Sequence, residues 1–215
     1  HTRLLTVTGV QTCALPICMF AGKRTTFHFP LRVGDTVTKD SEIAAVTIKE
    51  GRSGTMVFVT VRHDLSTKAG LAISEEQDIV YRGDPDPNAP PAPPQPVPGK
   101  AVWKKKIVID PVLLFRYSAL TFNGHRIHYD HPYVTKTEGY PNLVMNGGLT
   151  TLLLYELARD NNKAPIAKMS SRNVRPLFCP DEFHVCGEPS ADGKSAKIWA
   201  EDKTGALCVT ATAEF

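Results

Sequence analysis

The segment NGGLTTLLLYELARDNN, Asn146 to Asn162, carries leucine at 149, 152, 153, 154 and 157, which leaves almost no polar face on the helix it predicts. Such a helix has to be covered on nearly every side. The residues after it offer strands for that purpose. SSRNVRPLFCPDEFHVCGEPS, KSAKIWAED and ALCVTATAEF are β-rich runs divided by turn pairs at Asp192-Gly193 and Thr204-Gly205. The expected arrangement is α+β, with one long helix held in the curve of an antiparallel sheet.

The first half reads as nearly all strand. FHFPLRVGD, SEIAAVTIKEGRSG, TMVFVTVRHDLSTKAG and LAISEEQDIVY succeed one another from Phe27, with hairpin turns at Lys49-Glu50-Gly51 and Lys68-Ala69-Gly70. Between Asp84 and Gly99 fall eight of the 17 prolines, a density that forbids helix and sheet interior and predicts an extended spacer. PLRVGD at Pro30 to Asp35 aligns with PLFCPD at Pro176 to Asp181, and three strands follow each, so the halves look like copies of one unit. In the second copy a buried helix precedes the strands; in the first that region falls upstream of Met19. The expectation is a double hotdog, each sheet wrapping a long helix, with the first copy truncated at its N-terminus. Residues 18–83 form a partial N-terminal hotdog of strands only, 84–100 a Pro-rich linker, and 101–215 the C-terminal hotdog that should carry the chemistry. VTGVQTCALPI, Val7 to Ile17, looks like a translated sequencing adapter, so residues 1–17 are set apart and Cys13 says nothing about redox state.

At 215 residues and 42% hydrophobic, the chain is long enough to bury real cores. A net charge of +3 with no basic block beyond Lys104, Lys105 and Lys106 argues against a nucleic-acid partner, and no window approaches the roughly 18 apolar residues of a membrane span. The lysine triplet reads as a solvated sheet edge. Five cysteines without a CxxC pair argue against a disulfide scaffold and a structural zinc, and fit a reducing cytoplasm.

After the linker, AVWKKKIVI predicts a strand, and Asp110-Pro111 predicts the capped start of a helix running to about Ala119. Then comes TFNGHRIHYDHPY, with His125, His128 and His131 at intervals of three. Those intervals share a face only on a helix, which Gly124 and Pro132 oppose, so a zinc triad is disfavoured. Polar loop histidines and a catalytic loop are the other two readings. Tyr117 and Tyr129 read as packing residues.

TFNGHRIHYD resembles the hydratase motif of the MaoC-like and hydratase-2 hotdog enzymes, whose usual form is D-x-N-P-L-H followed by x-D. Asn123 stands where the family has its catalytic aspartate, His125 at its asparagine, Arg126 at its proline, Ile127 at its leucine, His128 at its catalytic histidine, and Asp130 at the following acid. The variant form looks like the branch of mesaconyl-C4-CoA hydratases, itaconyl-CoA hydratase-like proteins and mitochondrial-type 3-hydroxyacyl-thioester dehydratases, and the similarity runs from Met19 to Phe215.

The resemblance implies a hydro-lyase that adds water to a 2,3-enoyl thioester, or dehydrates a 3-hydroxyacyl thioester, carried on CoA or an acyl-carrier protein. It implies no metal and no cofactor beyond the CoA thioester substrate. A histidine near neutral pKa suits the proton transfers, and His128 is the expected base. Asn123 cannot exchange a proton as a carboxylate can; it is expected to orient water or thioester, with Asp130 and His125 in support. Gly147 and Gly148 would hold enolate charge through their backbone N–H groups at the helix start, with Asn146 beside them where the family commonly has histidine. A free carboxylate on the substrate would need an arginine, from among Arg126, Arg172 and Arg175. A homodimer is compatible with this reading. The rivals are a thioester-binding module without catalysis, suggested by Asn123 and Asn146, and a metal-dependent hydrolase using the three histidines.

Overall fold

The computed structural model describes residues 17–51, 54–83 and 93–215. Of the stretch set apart at 1–17 only Ile17 is therefore in view, and of the expected linker only residues 93–100.

From Ile17 to Arg82 the described residues form strands and turns only: β1 (Ile17–Phe27), β2 (Thr38–Gly51), β3 (Gly54–Thr67) and β4 (Gly70–Arg82). β1 lies upstream of the strands read from the sequence. Its register slips between Phe20 and Gly22, and lysine, arginine and threonine fill its second half, so neither alternation nor an apolar run marks it. Glycines at the predicted turns adopt positive φ, among them Gly70, Gly193 and Gly205, as a tight reversal requires.

The second half begins with β5 (Trp103–Ile107) and α1 (Pro111–Leu120). Arg126–His128 make one 3-10 turn, followed by α2 (His131–Lys136), β6 (Leu143–Val144) and α3 (Gly147–Asn161). The chain ends with β7 (Lys168–Asn173), β8 (Phe178–Cys179), β9 (Phe183–Pro189), β10 (Ser195–Asp202) and β11 (Leu207–Glu214). α2 falls where turn formers predicted irregular chain. Pro132 does not oppose it, because it sits in the first turn, where its missing N–H is no loss, and Asp130 caps the helix by accepting from the Tyr133 N–H at 3.1 Å.

Nine strands make one sheet in the order β2-β3-β4-β1-β7-β11-β10-β9-β5. Read outward from its centre, β1-β4-β3-β2 on one side matches β7-β11-β10-β9 on the other, the same path taken twice about the antiparallel β1·β7 pair. Five residue pairs, Gly22↔Arg172 to Thr26↔Lys168, hold that seam. β5 adds an edge strand whose three lysines pair with Glu201, Asp160 and Glu182, in keeping with their reading as a charged edge.

α3 lies against β9, β10, β11 and β5. Leu154, Leu157 and Ala158 are buried with Val185, Ile198, Ala200, Cys208, Ala211 and Ala213, small side chains on the sheet letting the helix come close. The expectation of burial nearly all round is not met: the sheet strands pack on α3, yet Leu152 is 48% exposed. The helix also reaches the seam, where the Tyr155 ring meets Phe27 of β1 edge-on at 6.0 Å. In the proline-rich stretch, residues 93–100 do not hang free. The Gln95 carbonyl accepts from the Leu207 N–H at 3.1 Å, and Val97 packs on the small cluster of Cys186, Trp199 and Leu207.

Candidate functional site

Asp110 accepts from the Leu113 N–H at 2.7 Å and Pro111 follows it, so α1 starts where the sequence predicts. Its far end closes with two backbone bonds, Asn123 N–H to the Ser118 carbonyl at 2.8 Å and Phe122 N–H to Ala119 at 3.3 Å, a Schellman pattern. Phe122 takes the left-handed position at φ 52°, a conformation that costs a side-chain-bearing residue about 1–2 kcal/mol. That reversal turns the histidine segment back toward β6 and the N-terminus of α3.

Within the segment, the Asn123 side-chain oxygen accepts from the His125 N–H at 3.0 Å, an Asx turn. The 3-10 turn then carries His128 inward, where it is 7% exposed. His128 Nδ1 lies 2.7 Å from the Val144 carbonyl. A carbonyl can only accept, so Nδ1 bears the proton and Nε2 keeps its lone pair. Burial is the main cause holding the His128 pKa down, to about 4; the Val144 bond opposes it, and nearby His125, whose ring centroid is 5.6 Å away, adds to it. The side chain is thus a neutral base at ordinary pH.

β6 runs directly into α3. Asn146, 2% exposed, occupies the N-cap position yet makes no capping bond; its Nδ2 reaches Ser118 Oγ at 3.3 Å, and its Oδ1 has no partner among the described residues. The first-turn N–H groups of Gly147, Gly148 and Leu149 make no backbone bond among the described residues, leaving donors at the positive end of a helix of 15 residues. Side chains would not fit at the two glycines. A Cβ on Gly147 would stand 2.7 Å from Asn173 Nδ2 and 3.1 Å from the Phe20 ring, and one on Gly148 would collide with the Tyr117 hydroxyl.

His128, Gly147 and Gly148 therefore come together around residues 144–148, with Asn146 and Ser118 behind them. The other sequence candidates lie differently. Asn123 and His125 shape the loop through their Asx turn. Asp130 pairs with Arg126 at 2.7 Å and caps α2, and it is the Val144 carbonyl that orients His128. Arg126 also stacks on the Tyr133 ring at 4.0 Å. Arg172 alternates with Met169, Ser171 and Asn173, whose face looks toward α3, so it projects from the opposite face of the sheet. Arg175 faces Asp202 at 3.7 Å. None of the three arginines brings an unpaired guanidinium to His128. Among the described residues no three of His, Cys, Asp or Glu gather as a metal ligand set, and His131 is exposed at the start of α2. Ser118 and the Val144 carbonyl were not foreseen; a backbone carbonyl leaves no trace in a sequence.

The profile of the family described as hydroxyacyl-thioester dehydratase type 2 matches residues 8–179. The mesaconyl-C(4)-CoA hydratase of Chloroflexus aurantiacus is 45% identical over 203 residues, covering 93% of this chain and 71% of that protein. Among solved structures, HtdX of Mycobacterium tuberculosis superposes with a TM-score of 0.69 at 21% identity, over 92% of this chain and 76% of that one. Another protein of that organism, described as a double hotdog, superposes with a TM-score of 0.57 at 16% identity, over 91% of this chain and 74% of its own. These likenesses show the hotdog fold.

Proposed function

The chain belongs to the hydroxyacyl-thioester dehydratase type 2 family, hydro-lyases that hydrate a 2,3-enoyl thioester or dehydrate a 3-hydroxyacyl thioester, and from that premise we propose that His128 is its single acid-base residue. The observation that carries this reading is the buried imidazole with Nδ1 held by Val144 and Nε2 free. Nε2 takes a proton from water as the water oxygen bonds to C3. The electron pair of the double bond moves onto the thioester oxygen as an enolate, and the imidazolium returns the proton to C2 as the enolate collapses. Gly147 and Gly148 N–H groups receive the enolate oxygen. Water addition leaves no net change of oxidation state, so the site needs no redox cofactor, and the helix terminus supplies the polarisation a metal would otherwise give.

The same reading extends to the architecture. Residues 18–83 are the sheet of one hotdog and 101–215 a second with its helix, joined through 84–100; the repeated strand path supports a double hotdog, the first copy contributing only strands and turns among the described residues. A homodimer is compatible with this architecture. Three buried free thiols, Cys179, Cys186 and Cys208, accord with a reducing cytoplasm, and no described helix is long and apolar enough to cross a membrane.

The acyl group is of the mesaconyl-C4-CoA or itaconyl-CoA type, a reading supported by the identity to the Chloroflexus mesaconyl-C(4)-CoA hydratase and not by Arg126, Arg172 or Arg175, none of which brings an unpaired guanidinium to His128. The full chain mixed with mesaconyl-C4-CoA should deplete the conjugated enoyl-thioester absorbance faster than with crotonyl-CoA. The reverse order would overturn the dicarboxylate reading while leaving the hydratase in place. The engagement of Asn123 in a turn favours one rival, a binding module that holds thioesters without turning them over. Turnover of either compound eliminates it.

The depressed pKa sets a pH dependence. A base that stays neutral until about pH 4 gives a kcat/KM profile flat through pH 6 and falling only near pH 4. A limb near 6.5 would mean that another histidine does the work. Stability follows the same shift. The unfolded chain takes up this proton near 6.5 and the folded chain near 4, so His128 costs nothing above pH 6.5 and destabilises progressively as pH falls toward 4, by about 3 kcal/mol at most.

A further inference from the structure

Tyr117 stands one helical step from Leu114 and beside Ser118, on the face of α1 that is buried against the second half. Its ring is partly buried in the core, as a packing tyrosine's would be. Its hydroxyl reaches over Gly148, so closely that any Cβ there would strike it, and it has no hydrogen-bond partner among the described residues. Desolvation raises its pKa above the ordinary 10, so it is a neutral donor throughout the working range. A buried or half-buried tyrosine ordinarily finds a partner for its O–H.

The place it reaches is the first turn of α3, where the Gly147 and Gly148 N–H groups are open and the N-cap side chain makes no capping bond. α1 is fixed to that turn by the Asn146 to Ser118 bond, so the hydroxyl has little freedom to swing elsewhere. We propose that Tyr117 Oη donates a hydrogen bond to the substrate's thioester carbonyl oxygen, completing with the Gly147 and Gly148 N–H groups a three-donor site for the enolate. This rests on the hydratase reading above. It also gives Gly148 a reason: the residue lacks a side chain because the phenol and the acyl oxygen share the space one would fill.

The test is Tyr117→Phe, which keeps the ring. A donor that strengthens as negative charge grows should, when removed, lower kcat by about 10²-fold with KM changed only a few-fold. A packing role would leave kcat near the original. An independent readout uses crotonyl-CoA labelled with carbon-13 at the carbonyl and bound to the His128→Ala chain, which does not consume it. The carbonyl infrared stretch should fall on binding and recover most of its free value in the chain that also carries Tyr117→Phe. Tyr129→Phe serves as control, because Tyr129 already donates to the Gly124 carbonyl at 2.8 Å, and should leave the stretch where it was. Bound substrate whose stretch stays as low in the Tyr117→Phe chain as without that change overturns the role of Tyr117 alone. Failure of the parent chain to bind or hydrate any enoyl thioester takes down the hydratase reading and this inference together.

Discussion

Replacing His128 with alanine should lower enoyl-thioester hydration by about 10³-fold, within the span that a positioned general base contributes. The size follows from the lack of a substitute. Asn123 is an amide held in a turn, Asp130 is engaged by Arg126 and the α2 cap, and no carboxylate is among the groups that shift the His128 pKa. The substitution also orphans the Val144 carbonyl in a buried site, at a cost of about 1–3 kcal/mol, so circular dichroism and a melting curve belong beside the kinetics. His128→Asn supplies a donor for that carbonyl without a base; it should recover stability and not turnover. Undiminished hydration in either variant would remove His128 from the chemistry.

Gly147→Ala is the second large effect. The new methyl would press on Asn173 Nδ2 and on the Phe20 ring, and Asn173 cannot swing away because the same nitrogen donates to the Phe20 carbonyl at 2.8 Å. The first turn of α3 has to move instead, displacing the N–H groups proposed to receive the enolate. Activity should fall by about 10²-fold and stability by about 1–3 kcal/mol. The cause is checkable by coupling: in an Asn173→Ala background the alanine finds room, and its further cost should shrink by at least tenfold. Independent, additive losses would show that the crowding is not where the harm lies.

Much of this was legible from residue types. Asp110-Pro111 marked the start of α1, the glycine turns marked three hairpins, and the leucines of 149–157 marked the helix around which the second half is built. The alignment of PLRVGD with PLFCPD anticipated a strand path taken twice. Hidden were the features that depend on where distant segments meet. β1 alternates too weakly to be seen, and its pairing with β7 joins residues some 150 positions apart. Likewise Arg172 looks equivalent to Arg126 and Arg175 as a string of letters, and only the pleat of β7 puts it on the far face. The orientation of His128 was beyond reach because its partner is main chain.

That last feature bears on how the site can change over generations. A histidine oriented by aspartate or glutamate loses its proper tautomer to a single codon change in the partner. Here the acceptor is the Val144 carbonyl, aimed by the two-residue ladder Leu143↔Cys179 and Val144↔Phe178, and every amino acid at position 144 brings the same oxygen. The tautomer of His128 is thereby buffered against point mutation at its own partner. Only changes that shift β6 itself can reach it, so variation at 144 is free to tune the neighbouring walls without disturbing proton transfer.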